Sequence, residues 1–552
     1  MFVARRGFVM FVLILTLSLI TAGQDSRAAV IERSLAGPDE LSRLGKFAEA
    51  EDGYRALLKT DPKLVLAKGG LVRAMLGQQK IDEALDTVNA ALTAEPESAP
   101  LLAVRGDVQF RQGEMSDAEV SYLAAQKADP KEVHAHLGLA ALYNSYSLYR
   151  KAYDQLKIAR DIAPGDSYVQ LAWIRMLPRE LKQSALESYL AAPNHKEEAK
   201  AFTSYLEFVK TKTGQGVHSC RLVSKAEQTE TKLEAFWADG ARRSRAVALA
   251  TSINDQKVLL PLDTGASGIM VSRRLAEKAR LPRISEAYVA GWGDHGPRSG
   301  YRAVVNNIRI GELEFQDCVV VVADVPGAEG VIGPDVFASY LIDIDLAQMR
   351  LRLSPLPKRP EDAVAPTALN SEVEEETGAD GEVSLGQTSA GKNSSDAEDR
   401  STPVVPKDRY IAPEMANWTR VFRFGHMLLI PTIVSDSKPM LFLLDTGAVG
   451  SVLSLHAAQL VSKVHSENRV HLRGLSGAVS NVYSSKNVTL RFGHLEQKNK
   501  DIIAVDLTNM SRLSGTEISG VLGFLMLTAL DVKLDYRDGL ADFEYNRKDR
   551  KH

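Results

Sequence analysis

Apolar residues recur at helical spacing through the first third of the chain and in short strand-like runs through the rest. Leu101, Val104, Val108 and Phe110 share one helix face, and Ala118, Tyr122 and Ala125 share the next. Pro62, Pro96, Pro130 and Pro164 stand 34 residues apart, as do Ala50, Ala84, Ala118 and Ala152. So strict a period predicts a helical repeat. Each proline ends the second helix of a pair because it cannot donate the next intrahelical hydrogen bond. The alanines, with Gly106 and Ala140 on the first helices, let paired helices approach closely. Gly37 and Pro38 are expected to interrupt the first helix of the first copy. Helical patterns continue irregularly over Leu171 to Leu177 and Ala199 to Val209, which puts an all-α solenoid at residues 31–212.

From about Val217 the texture changes to short β-branched runs with turn signals between them, the pattern of an all-β region. An offset of 182 residues aligns two halves of it: Asp263 falls on Asp445, and Asn307 to Gly311 falls on Thr489 to Gly493. Further on the offset is 190, with Gly330-Val331-Ile332-Gly333 matching Gly520-Val521-Leu522-Gly523 and Asp345 matching Asp535. An eight-residue insertion in the second copy accounts for the shift. Two β-rich lobes are therefore expected at residues 217–354 and 409–547.

Between the copies, residues 355–408 are expected to form an acidic, disordered linker. Glu361 to Arg400 holds eleven acidic and two basic residues, and no aromatic residue occurs from Pro355 to Arg409. Such a segment cannot bury enough apolar surface to offset the entropy of ordering it. Gly386 to Asn393 nearly fits a phosphate-cradling loop, but Asn393 replaces the magnesium-binding hydroxyl and the match is read as chance.

The N-terminus carries Arg5 and Arg6, an apolar run from Phe8 to Ile20 and then Thr21, Ala22 and Gly23, the layout of a cleaved signal peptide at residues 1–23. The route, general secretory or twin-arginine, stays open. The expected location is periplasmic or extracellular, with no stable membrane span once the signal is removed. There, Cys220 and Cys318 could be joined by a disulfide; two unpaired thiols are the alternative. With 67 Lys and Arg against 70 Asp and Glu, the net charge of -3 gives no broad attraction to nucleic acid.

The chemistry sits in two tetrapeptides. Asp263-Thr264-Gly265-Ala266 follows the apolar run to Leu262, and Asp445-Thr446-Gly447-Ala448 follows the run to Leu444. Each carboxylate would emerge from a sheet at a tight turn, with glycine to permit the turn and alanine to leave room for substrate. Peptide hydrolysis without a metal or a covalent nucleophile needs a base to activate water and an acid to protonate the amide. Two facing carboxylates that share a proton divide those roles. Gly291-Trp292-Gly293 in the first copy and Gly474 to Gly477 in the second are candidate flaps over a cleft. No zinc-binding H-E-x-x-H or G-x-S-x-G nucleophile elbow occurs, so neither a metal nor any other cofactor is expected.

These features carry two resemblances. Residues Ile31 to Pro164 resemble the tetratricopeptide repeat family, which implies a curved stack able to bind a protein partner or to act as a spacer. Val217 to Leu353 and Arg409 to Tyr545 resemble the retropepsin-like aspartic proteases, in which each module supplies one aspartate. That resemblance implies catalytic roles for Asp263 and Asp445, loop interlocking by Thr264 and Thr446, and turn support from Gly265, Gly447, Gly333 and Gly523. The expected activity is that of an exported aspartic endopeptidase acting on protein or peptide substrates. A non-catalytic binding scaffold is the alternative. The second copy departs from the first in having Val449 where the first has Ser267.

Overall fold

The computed structural model describes residues 30–177, 179–192, 195, 220–236, 245–291, 293–294, 296–360, 371–373, 388–390 and 406–545. The signal segment, Ala199 to Val209, Trp292 and most of the linker lie outside them. Within the linker, Ser371–Val373 pairs with Thr388–Ala390. The chain forms two compact units, residues 1–111 with 116–135, and residues 112–115 with 136–552.

The repeat period is visible in the helix ends. Phe47–Thr60, Ile81–Ala94, Met115–Ala128 and Tyr149–Ile162 each stop two residues before one of the periodic prolines. Ala50, Ala84, Ala118 and Ala152 are buried, each at 1% exposure or less, which is what a contact with no room for a larger side chain requires. A Cβ on Gly106 would lie 2.6 Å from the fully buried ring of Tyr122, so glycine is needed for that helix pair to close. One expectation is corrected. Residues 30–43 form a single helix that runs through Gly37 and Pro38. The proline ring is accommodated because Gly53 faces it, where an added Cβ would meet Pro38 Cγ at 2.8 Å.

The β-rich part holds two lobes built alike. In the second, Pro439–Asp445 runs parallel to Gly520–Gly523, and Val452–Ser454 runs parallel to Leu495–Val505. In the first, Leu262 bridges Ile332 in parallel and Ile269–Val271 runs parallel to Leu313–Val322. In both, the Asp-Thr-Gly turn thus leaves the sheet beside the apolar strand that ends in Gly333 or Gly523. Cys220 and Cys318 are bonded, fastening the start of the first lobe to the strand Leu313–Val322.

The lobes are joined by strands. Tyr340–Asp345 of the first pairs antiparallel with Leu530–Asp535 of the second, flanked by Arg350–Pro355 and Thr229–Phe236 on one side and Leu540–Tyr545 on the other. Ile342 and Ile344 pair with Leu534 and Val532, and all four sit in one apolar core shared by both lobes. Burial of these apolar side chains, at roughly 25 cal/mol per Å² of apolar surface, favours the joined lobes.

Candidate active site

Asp445 is the last residue of its strand and Asp263 follows Leu262, so both carboxyls leave the sheets at matching places. Asp263 is anchored by its own N–H, which donates to Ile332 O at 2.9 Å. Gly265 N–H donates to Asp263 Oδ1 and Gly447 N–H to Asp445 Oδ1, each at 2.8 Å. Ala448 N–H adds a second bond to Asp445 Oδ1 at 2.9 Å, whereas Ala266 N–H goes to the backbone carbonyl of Asp263.

Thr264 and Thr446 lock the two turns together through four hydrogen bonds. Thr264 N–H donates to Thr446 Oγ1 at 3.0 Å and Thr446 N–H to Thr264 Oγ1 at 2.9 Å. Each hydroxyl then donates across the lobes, Thr264 to Leu444 O and Thr446 to Leu262 O, both at 2.8 Å. Both threonines are buried, so these bonds satisfy groups that water does not reach.

The glycines of the tetrapeptides face the opposite carboxylates. A Cβ on Gly447 would stand 2.4 Å from Asp263 Oδ2, and one on Gly265 would stand 2.9 Å from Asp445 Cγ. Any side chain there would push the acids out of place. The two carboxyls hydrogen-bond each other, and both titrate above the ordinary carboxylate range. Burial is the main cause in each case. For Asp445, which is displaced further, the negative charge of Asp263 is the next cause. Two acids so placed retain one proton between them, so the pair carries one acid and one base at the same time.

Gly333 and Gly523 support the turns from below by close backbone approach. A Cβ on Gly333 would lie 2.3 Å from Ala266 O, and one on Gly523 would lie 2.3 Å from the carbonyl carbon of Gly450. The two flap candidates meet each other: Gly291 N–H donates to Ser476 Oγ at 3.1 Å, and Asp294 N–H to Ala478 O at 3.1 Å. Arg473–Gly474 and Gly477–Ala478 form the second flap's hairpin. Gly293, at φ 125°, rests so close to Ser476 that a Cβ would lie 2.4 Å from its backbone.

Three residues around the acids escape sequence reasoning. Asp335 is buried and accepts from Ser267 Oγ at 3.0 Å and from Gly268 N–H at 2.9 Å. Burial also raises its carboxyl. His426 sits at a hairpin turn of the second lobe, where a positive charge on its ring acts on both Asp263 and Asp335. Ser451 Oγ accepts from Gly523 N–H at 3.1 Å. The 190-residue offset could have drawn attention to Asp335, because it pairs that residue with Leu525 in the second copy. Among the described residues no cluster of three or more His, Cys, Asp or Glu is placed to hold a metal ion, and no helix is long and apolar enough to cross a membrane.

Comparison with known proteins agrees with this architecture. The aspartyl protease family profile matches twice, over residues 249–336 and 430–525, and the tetratricopeptide repeat profile matches residues 39–100 and 70–133. No curated protein matches the chain. Among solved structures, a tetratricopeptide repeat protein from Parabacteroides merdae is 16% identical, with 34% of this chain and 87% of that one covered and a TM-score of 0.20. A thermophilic tetratricopeptide repeat protein of Thermus thermophilus is 17% identical, with 32% and 98% covered and a TM-score of 0.26. Two copies of the aspartyl protease domain, following tetratricopeptide repeats, make up the recognisable part of this chain.

Proposed function

We propose that the protein is an exported aspartic endopeptidase in which Asp263 and Asp445 form one catalytic dyad within a single chain. The observation that carries this reading is the hydrogen-bonded carboxyl pair, held by the reciprocal Thr264 and Thr446 bonds across the two lobes. Water held between the carboxyls gives a proton to the ionised one as its oxygen attacks the scissile carbonyl carbon. The protonated one donates to the carbonyl oxygen, giving a neutral tetrahedral diol. Collapse of the diol returns a proton from one hydroxyl to the dyad, while the amide nitrogen takes a proton and leaves as the amine. The dyad ends with the single proton it began with.

Export is supported by the basic and apolar N-terminal layout and by the Cys220–Cys318 bond, which suits an oxidising compartment. In this reading the lobes extend over residues 217–354 and 409–547, with the acidic segment as a tether and the repeats at 31–212 as the site for a protein partner or substrate. The experiment is hydrolysis of an unfolded protein by wild type, Asp263→Asn and Asp445→Asn, with mass measured by light scattering. Each single variant should lose nearly all activity in a monomeric protein, and a statine-type inhibitor should abolish wild-type cleavage. Residual activity near half in either variant, in a dimer, would overturn the intrachain dyad.

A further inference from the structure

Both lobes end in a hairpin closed by the same turn, and only the second carries an acid at the turn's fourth residue. In the first lobe Gln348 N–H donates to Asp345 Oδ1 at 2.8 Å, and Met349 follows at φ 56°. In the second, Asp538 N–H donates to Asp535 Oδ1 at 2.9 Å, and Gly539 follows at φ 60°. The 190-residue offset places Gln348 on Asp538. The turn itself needs no carboxylate at that position, since glutamine serves the first lobe. Yet Asp538 is fully buried, where an ionised group persists only if it is paired and hydrogen-bonded.

Its partners come from both sides of the acidic segment. Arg359 donates from Nη2 to Asp538 Oδ1 at 2.6 Å, Tyr410 N–H donates to the same oxygen at 2.9 Å, and Arg537 Nε donates to Oδ2 at 2.7 Å. Arg537 also donates from Nη2 to Pro357 O at 2.9 Å. The end of the first half of the chain is thus held by the second lobe. The start of the second half is held in turn by the repeats, through the bonds of Asp408 Oδ1 with the N–H groups of Arg150 and Lys151 and of Arg409 N–H with Ser147 O. Each half grips the other's end, and none of these bonds involves residues 361–405. The strand pair Tyr340–Asp345 with Leu530–Asp535 and the threonine interlock join the same two halves. A covalent link adds little where both of its ends are already held.

We infer that the two halves meet in an interface that outlives a cut between Pro360 and Pro406, so that the chain stays assembled as two polypeptides with Arg359 and Asp538 as the clasp between them. The partner that this surface fits is the other half of the same chain. Assembly requires no catalysis, so the interface goes beyond the peptidase reading and stands or falls apart from it. In the uncut chain the tether keeps the halves at an effective concentration of order mM or below, which masks the contribution of the clasp. After a cut the clasp is exposed to dilution. Arg359 is 7% exposed and Asp538 0%, and removing one partner of so buried an ion pair weakens the joint far more than losing a surface pair would.

The test inserts a recognition sequence for a site-specific endopeptidase between Ser394 and Ser395 of the full chain, as wild type and as Arg359→Met, and follows mass by light scattering on dilution before and after cutting. Cut wild type should remain one particle with the mass of both pieces at about 1 μM. Arg359→Met leaves Asp538 its bonds from Arg537 and Tyr410, so the uncut variant should fold as wild type does by circular dichroism. Its cut halves should separate about tenfold or more readily than those of wild type. Separation of cut wild type into its pieces at about 1 μM overturns the inference. Equal dissociation of the two cut proteins overturns the clasp, and so does an uncut Arg359→Met that fails to fold, because within one chain the tether should make that bond dispensable.

Discussion

Asp343 of the first lobe and Lys533 of the second stand directly opposite each other on the two strands that join the lobes. They are also equivalent positions, separated by the 190 residues that relate Gly333 to Gly523. The local twofold relation between the copies therefore passes through this pair. On either side the signs alternate across neighbouring strands: Glu230 opposite Arg352, Arg352 opposite Asp343, Lys533 opposite Asp542. If each lobe paired with its twin from another chain, Asp343 would face Asp343 and Lys533 would face Lys533. The charges favour the intrachain pairing. Lys533→Asp, which puts an acid among Asp343, Asp542 and Glu544, should cost about 1–2 kcal/mol in urea unfolding, and Lys533→Gln about half that. Equal stability of Lys533→Asp and wild type would remove the ladder as a pairing device.

The threonine interlock predicts a different pattern. Thr446→Val deletes the bond to Leu262 O and the acceptor for Thr264 N–H, leaving two buried backbone groups unpaired. At about 1–3 kcal/mol for each such group, the loss should reach about 2–6 kcal/mol, with activity lost alongside. Thr446→Ser, which keeps the hydroxyl, should restore most of both. A valine variant as stable and as active as the serine variant would show that the bonds contribute little.

Much of this site is legible in the sequence because it is built from local rules used twice. An acid at the end of an apolar run, a glycine turn and a second apolar strand ending in glycine recur at a fixed offset, so Asp263, Asp445, Gly333 and Gly523 can be named from the chain alone. Asp335 cannot, since an acid two residues past a glycine reads as an ordinary turn until its partners Ser267 and Gly268, 68 and 67 residues earlier, are known. His426 belongs to the second lobe yet acts on an acid of the first, and no periodicity carries that information. The pairing of Asp343 with Lys533 likewise depends on register between strands far apart in sequence. Pro38 misleads because a proline's cost depends on its neighbour, here Gly53, which makes room for the ring.

Acidity should act on rate and on stability in separable ways. Both dyad carboxyls titrate above the usual range, chiefly through burial, so the singly protonated pair persists to higher pH than ordinary aspartates allow. Activity should be bell-shaped, falling when the last dyad proton leaves and again when the second is gained. For stability, Asp531 is pushed up to about 7 by burial and by its hydrogen bond with Asp343, and Asp535 to about 6 by burial and by Asp538. Between the unfolded value of about 4 and these values the folded chain binds more protons than the unfolded one. Stability is thus fully present below about pH 4 for these groups and is lost as pH rises through 6 to 7. Melting temperature should fall on going from about pH 5 to about pH 7.5, and Asp531→Asn should flatten that fall. A variant whose melting temperature still drops as steeply as wild type would exclude Asp531 as the cause.

The repeats and the second lobe meet at one further charge. The helix Tyr149–Ile162 has no capping side chain of its own, since Leu148 occupies the N-cap position. Asp408, more than 250 residues later, supplies the missing acceptor: its Oδ1 takes the N–H groups of Arg150 and Lys151 at 2.8 and 3.1 Å. Beside it Arg409 N–H donates to Ser147 O at 2.8 Å, the rings of Tyr146 and Phe422 lie 5.2 Å apart, and Arg423 donates to Tyr149 Oη at 3.3 Å. The carboxylate also faces the positive end of the helix dipole, which adds to the bond. Asp408→Ala should therefore cost about 1 kcal/mol, Asp408→Asn only a fraction of that, and the amides of Arg150 and Lys151 should exchange faster with solvent in the alanine variant. Because this helix bonds the second lobe, deleting Ile31 to Pro164 should impair cleavage of short peptides as well as of proteins, although the repeats contain no catalytic motif. Short-peptide cleavage undiminished by that deletion, together with unchanged exchange in Asp408→Ala, would show that the second lobe stands without the helix.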